Sequence, residues 1–204
     1  MRTAIVGMLL LVPCGLSGIS LQHWTQTDSE TIWRGLYTNC DKGYAVTIPA
    51  NVVAHGSLPP NPNHGILVSA SAPDTVARVT LEDERVVGVY DEYDAMEFGN
   101  AQAYLTFELL HTHAGPATIM ERRSTKFRGL PTVYVHYRTK NGQASIETEE
   151  SIVYRGQPKN SSPIFYVIWL RTPIQYYSQD RQLYSRIREG FHLMPVPRGE
   201  CSNK

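Results

Sequence analysis

Residues 132–154 constrain the fold of this chain more than any other segment. Val133, Val135 and Tyr137 alternate with Tyr134, His136 and Arg138. That period of two suits a strand and not a helix. Asn141-Gly142 follows, a pair that tolerates positive φ and favours a tight hairpin turn. Ala144–Tyr154 answers it, with Ile146, Thr148, Glu150 and Ile152 on one face and Glu147 and Glu149 on the other. The spacing predicts an antiparallel hairpin at the centre of the second half.

Weaker signals flank it. Tyr44, Val46 and Ile48 share one face of a strand that ends at Pro49. Residues 50–64 hold Pro59, Pro60, Pro62 and three asparagines and read as a long loop. Strands are expected at 65–70, 77–81 and 85–90. Asn100 is a credible N-cap for a helix from Ala101 to about His113, stopped by Gly115-Pro116. A strand over 117–123 and a turn at Phe127–Pro131 lead into the hairpin. Ile164–Arg171 is almost wholly apolar, as a strand covered on both faces would be. A last helix is expected from near Pro173, with Tyr176, Leu183, Tyr184 and Ile187 as its apolar stripe and Gly190 at its end.

The N-terminus reads as an address. Met1-Arg2, the run Ala4–Val12, Pro13 and then Gly15, Ser17, Gly18 and Ser20 follow the pattern of a secretory signal peptide. The run falls short of the ~20 apolar residues a membrane span needs. Cleavage is expected after Ser20, with Ser17 as the fallback. The mature chain of roughly 185 residues would be exported, periplasmic or secreted, without a transmembrane segment. It divides into an arm over 21–42, one domain over 43–195 and a tail over 196–204.

Cysteine usage agrees with export. Removing the leader removes Cys14 and leaves Cys40 and Cys201 at opposite ends. In an oxidising compartment such a pair reads as one disulfide. It would close a loop of about 160 residues and stabilise the chain by about 4–5 kcal/mol in the chain-entropy model. Leu11-Val12-Pro13-Cys14-Gly15 faintly resembles a lipobox, but Pro13 stands where a small residue belongs, which disfavours a lipid anchor.

Nineteen basic and nineteen acidic residues give zero formal charge. That argues against nucleic acid, which calls for a strongly basic surface. The expected partner is a protein or small ligand.

The order of motifs also has a family shape. It comprises the Gly43–Pro49 strand, the mid-chain helix, Phe127-Arg128-Gly129-Leu130-Pro131, and Glu149-Glu150-Ser151-Ile152-Val153 on the return strand. Thr172-Pro173 then leads to a helix rich in Tyr, Asp and Arg, closed by Phe191-His192-Leu193. Over Gly43–Pro195 this resembles the PsbP-like (PsbP/Mog-type) superfamily. The resemblance implies an α+β fold: a central antiparallel β-sheet flanked by helices, in an α/β/α sandwich. It also implies an accessory, chaperone or binding role rather than one defined activity, and an exported bacterial member of unassigned function. No family binding residues map onto this chain.

Candidate chemistry is sparse. His55-Gly56 and His64-Gly65 bracket the proline-rich loop, and folded back they could bind a metal or serve a metal-assisted hydrolase. Otherwise they are surface residues of a loop shaped by Gly and Pro. Glu147 and Glu149 could do acid–base work, but a solvated sheet face is the simpler expectation. Tyr134, with His136 beside it, is the expected exposed aromatic contact surface. No Gly-x-Ser-x-Gly elbow, phosphate loop or His-Glu-x-x-His occurs, so neither a catalytic residue nor a cofactor is assigned. An accessory or binding protein is the leading reading. A metal protein using His55 and His64 and an immunity-type protein are the alternatives.

Overall fold

A computed structural model of the chain describes residues 32–56, 64–92, 98–111, 116–156 and 163–195. The expected hairpin forms. Strand β8 (Leu130–Asn141) pairs with β9 (Ala144–Arg155) from Thr132↔Val153 to Asn141↔Ala144. Before it, β7 (Thr118–Phe127) pairs with β8 across a two-residue turn. Arg128 and Gly129 both take positive φ there, at 51° and 84°, the twist such tight hairpins require.

On the other side of β9 lies β10 (Ile164–Pro173), buried along nearly its whole length as its apolar run predicts. Next come β6 (Val86–Glu92), β5 (Gly65–Ser69), β4 (Ala54–Gly56) and β1 (Ile32–Trp33). Among the described residues these eight strands form one antiparallel sheet in the order β1-β4-β5-β6-β10-β9-β8-β7. A second sheet has the order β11-β3-β2, from Phe191–Leu193, Tyr44–Thr47 and Leu36–Asn39.

The fold is dominated by sheet, with helices packing on it. Neighbouring residues of β9 point to opposite cores. Ile152 joins Leu105, Tyr104 and Phe165 beneath the mid-chain helix (Ala101–His111). Val153 joins Tyr44, Tyr166, Leu183, Tyr184, Ile187 and Phe191 beneath the C-terminal helix (Tyr177–Glu189) and the small sheet. The second face is therefore covered by a helix and a three-stranded sheet together, which the expected helix–sheet–helix sandwich did not include.

The helix ends follow from local chemistry. Asn100 Oδ1 accepts the backbone N–H groups of Gln102 at 3.0 Å and Ala103 at 2.9 Å, as the N-cap reading requires. Gly190 ends the C-terminal helix, but at φ −71°, so it supplies no left-handed cap. It is needed for space: a Cβ there would lie 2.3 Å from the Thr47 carbonyl oxygen. A brief 3-10 turn (Ile174–Tyr176) precedes the helix.

Three expectations are corrected. Residues 32–39, read as arm, form β1 and β2, where Trp33 and Tyr37 meet edge to face at 5.2 Å. Two isolated aromatics in a polar stretch give no periodic signal, yet they cover the core. Residues 54–56, read as loop, pair with β5. Residues 77–81, read as strand, are irregular; the Asp83 carboxylate accepts the Thr80 N–H at 2.8 Å and bends the chain locally. The leader, Cys14, the heart of the 50–64 loop and the tail with Cys201 lie outside the described residues.

Candidate functional site

Strand alternation places Glu147 and Glu149 toward the C-terminal helix, and coverage by that helix buries both to 1% exposure. This overturns the solvated face. Glu149 accepts hydrogen bonds from the Tyr134 hydroxyl, from the Tyr177 hydroxyl at 3.2 Å and from Arg181 Nε at 3.0 Å. Glu147 meets His136 Nε2 at 2.7 Å and accepts from Arg138 Nε at 2.7 Å. The His136 ring stacks on Tyr177 with centroids 4.7 Å apart and planes 11° from parallel. Arg123 lies over the Tyr134 ring at 4.4 Å.

Two carboxylates thus meet two guanidiniums, and every carboxylate oxygen has a donor. Hydrogen bonding to Glu149 holds the Arg181 guanidinium above its usual range. Burial, followed by the nearby Glu149, pushes both the Tyr134 and Tyr177 hydroxyls up. Tyr134 and His136 do belong together, as the sequence implied. They are not an exposed contact surface, because Tyr134 is only 3% exposed and the C-terminal helix lies across them. Sequence reasoning missed Tyr177 and Arg181, although their four-residue spacing places both on one helix face.

Glu150 points the other way, beneath the mid-chain helix. It accepts from the Tyr137 hydroxyl at 2.8 Å. Burial pushes its carboxyl up to about 7; the Tyr137 hydrogen bond opposes this and the Glu108 charge adds to it. A fourth carboxylate, Asp91, lies near the end of β6. It accepts from Tyr44 at 3.0 Å and Asn39 at 3.1 Å and meets His64 Nδ1 at 2.8 Å. Burial raises its pKa against the opposing charge of His64.

The structure does not bring His55 and His64 together. His55 pairs with Leu67 and shares its face, beside the mid-chain helix core. Its Nε2 lies 3.1 Å from the Thr75 carbonyl. His64 binds Asp91, which pairs with Tyr166 on the opposite face. Successive residues of a strand alternate between its faces, so positions 64 and 67, three apart, lie on opposite sides of the sheet. Among the described residues no group of three or more His, Cys, Asp or Glu could hold a metal ion.

A groove of about 430 Å³ opens between residues 50–52, residues 70–74 and the C-terminal helix. Asn51, Asp74, Gln179, Gln182 and Arg186 line it. Asp180 at its floor is held by Arg85 Nε at 2.8 Å and Thr172 Oγ1 at 2.6 Å. Among the described residues no helix is long and apolar enough to cross a membrane.

An antiparallel sheet carrying two helices and a smaller sheet, with its carboxylates buried, is thus the class of protein in hand. No family model and no curated protein matches the chain. Solved structures do. LpqN of Mycobacterium tuberculosis, involved in cell envelope biogenesis, matches with a TM-score of 0.52 and 9% identity, over 83% of this chain and 94% of that one. Cyanobacterial PsbP (CyanoP) from Synechocystis sp. PCC 6803 gives 0.48 and 14%, over 90% and 98%. PA94, a Pseudomonas aeruginosa protein of unknown function, gives 0.44 and 10%, over 82% and 98%. At 9% identity the likeness to LpqN shows a shared fold alone.

Proposed function

We propose that this chain is an exported, non-enzymatic accessory or binding protein. One observation carries the reading: Glu147 and Glu149, which could have served acid–base chemistry, are buried and occupied, Glu149 by partners that join sheet to helix and Glu147 by partners on the neighbouring strand. Glu149 is held by Tyr134, Tyr177 and Arg181, and Glu147 by His136 and Arg138. Acid–base chemistry needs a group within hydrogen-bond reach of its substrate; both carboxylates are only 1% exposed. Export rests on the leader, and an envelope setting is in keeping with the role of LpqN.

The Cys40–Cys201 disulfide belongs to the same proposal. Leu193 pairs with Tyr44, and the Met194 N–H donates to the Gly43 carbonyl at 2.8 Å. The C-terminal chain therefore passes three residues from Cys40. Cys201 follows seven residues later, and such a stretch reaches up to roughly 23 Å. Peptide mapping without reduction is expected to find the two joined; two free thiols in the exported chain would refute the pairing.

The role itself is tested by capture from an envelope extract with the mature chain as bait. A specific partner held in fixed stoichiometry is expected. Turnover of a substrate by the purified chain, without a partner, would overturn the reading.

A further inference from the structure

Strand β7 ends the large sheet, and among the described residues no strand lies beyond it. It is ten residues long, and all but Phe127 are exposed. An edge of that kind presents a row of backbone N–H and C=O groups ready to pair with another strand. The bulge between Ile119 and Glu121 lies near one end, so Glu121–Phe127 keeps an unbroken register with β8.

The charges on this edge choose its partner. The chain as a whole is neutral, yet β7 holds Arg122, Arg123 and Lys126 against one acid, Glu121. Arg123 pairs with Glu121 at 3.0 Å and covers Tyr134. Arg122 and Lys126, four apart, lie on the same face, opposite Val135 and Pro131. Among the described residues neither makes an ion pair. A second copy is a poor occupant. Antiparallel self-pairing centred on residue 123 sets Arg123 opposite Arg123, and centred on residue 124 sets Arg122 opposite Lys126 twice, which destabilises a ladder.

We propose that the outer edge of β7 accepts an extended acidic segment of a partner protein as an added strand, with Arg122 and Lys126 pairing its carboxylates. Backbone pairing would supply affinity, and alternate side chains the selection. Charged edges also guard against aggregation; here the same charges turn away another copy and admit an acidic strand. This inference rests on the binding role proposed above.

The test uses the full mature chain and a synthetic decapeptide alternating glutamate and threonine, with a lysine–threonine peptide as control. The acidic peptide is expected to bind and to slow amide exchange along residues 121–127. The exposed charge reversal Arg122→Glu/Lys126→Glu is expected to weaken binding at least tenfold while leaving the fold intact. Absence of binding, equal binding of both peptides, or binding unchanged by the reversal would overturn the proposal. If the charge-reversed chain still captures the same envelope partner, the edge proposal fails while the accessory role stands.

Discussion

Arg181 Nε reaches both carboxylate oxygens of Glu149, at 3.2 and 3.0 Å, and so ties the C-terminal helix to the middle of β9. Breaking a buried ion pair by removing one partner commonly costs 3–5 kcal/mol. Arg181 is half exposed, however, with 51% of its side chain open to water. Screening reduces the expected cost of Arg181→Ala to about 1–2 kcal/mol. Glu149→Ala is expected to cost more, because the hydroxyls of Tyr134 and Tyr177 would lose their acceptor inside the protein. Urea denaturation of both variants checks the order; a larger loss for Arg181→Ala would contradict it.

Glu150 makes stability depend on pH. Its carboxyl is pushed up to about 7 in the fold, from an ordinary value of 4.5. The folded state therefore binds the proton more tightly than the unfolded chain. That contribution is complete below the unfolded value and is lost as pH rises through about 7. Between pH 5 and pH 8 the loss is expected to be on the order of 2 kcal/mol. Glu150→Gln stays neutral and is expected to lack it. Unfolding free energies of both proteins across this window check the sign; parallel curves would show that Glu150 is not the group responsible.

The hairpin and both helices were legible in the sequence because their signals are local. A period of two, Asn141-Gly142 and the Asn100 cap each specify structure within a few residues. Strand alternation also sorted Tyr134, His136, Glu147 and Glu149 onto consistent faces. Whether a face is covered is a different matter. The cover for Glu149 comes from Tyr177 and Arg181, about thirty residues along the chain, and no local pattern announces that docking. Strands β1 and β2 were hidden for a related reason: their stability comes from pairing with β4 and β3, not from their own composition.

Gly190 illustrates a constraint of space. A Cβ at this position would come within 2.3 Å of the Thr47 carbonyl oxygen, and the Thr47 N–H donates to the Gly190 carbonyl at 2.8 Å. The helix end and β3 cannot separate without losing that bond. Gly190→Ala is expected to cost about 1–3 kcal/mol, as overpacking does. A thermal melt checks it, and an unchanged melting temperature would show that the junction can give way.

The pair of half-buried His64 and buried Asp91 is expected to serve the fold. Asp91 also holds Tyr44 and Asn39, joining the small sheet to β6. Asp91→Ala would leave both donors without that acceptor, at a cost of about 1–3 kcal/mol. His64→Ala removes only one of the three and is expected to cost less. Calorimetry of the two variants checks the ranking, and a greater loss for His64→Ala would contradict it.

The central claim is that the buried carboxylates build the fold and the surface makes the contact. Quantitative capture from an envelope extract, with the wild-type chain and the Glu147→Gln/Glu149→Gln variant as baits, tests it most directly. Both are used at a temperature where circular dichroism reads them as folded. The account predicts the same partner at the same stoichiometry from both. Loss of the partner by the folded variant would contradict the account and place Glu147 and Glu149 in the binding site itself.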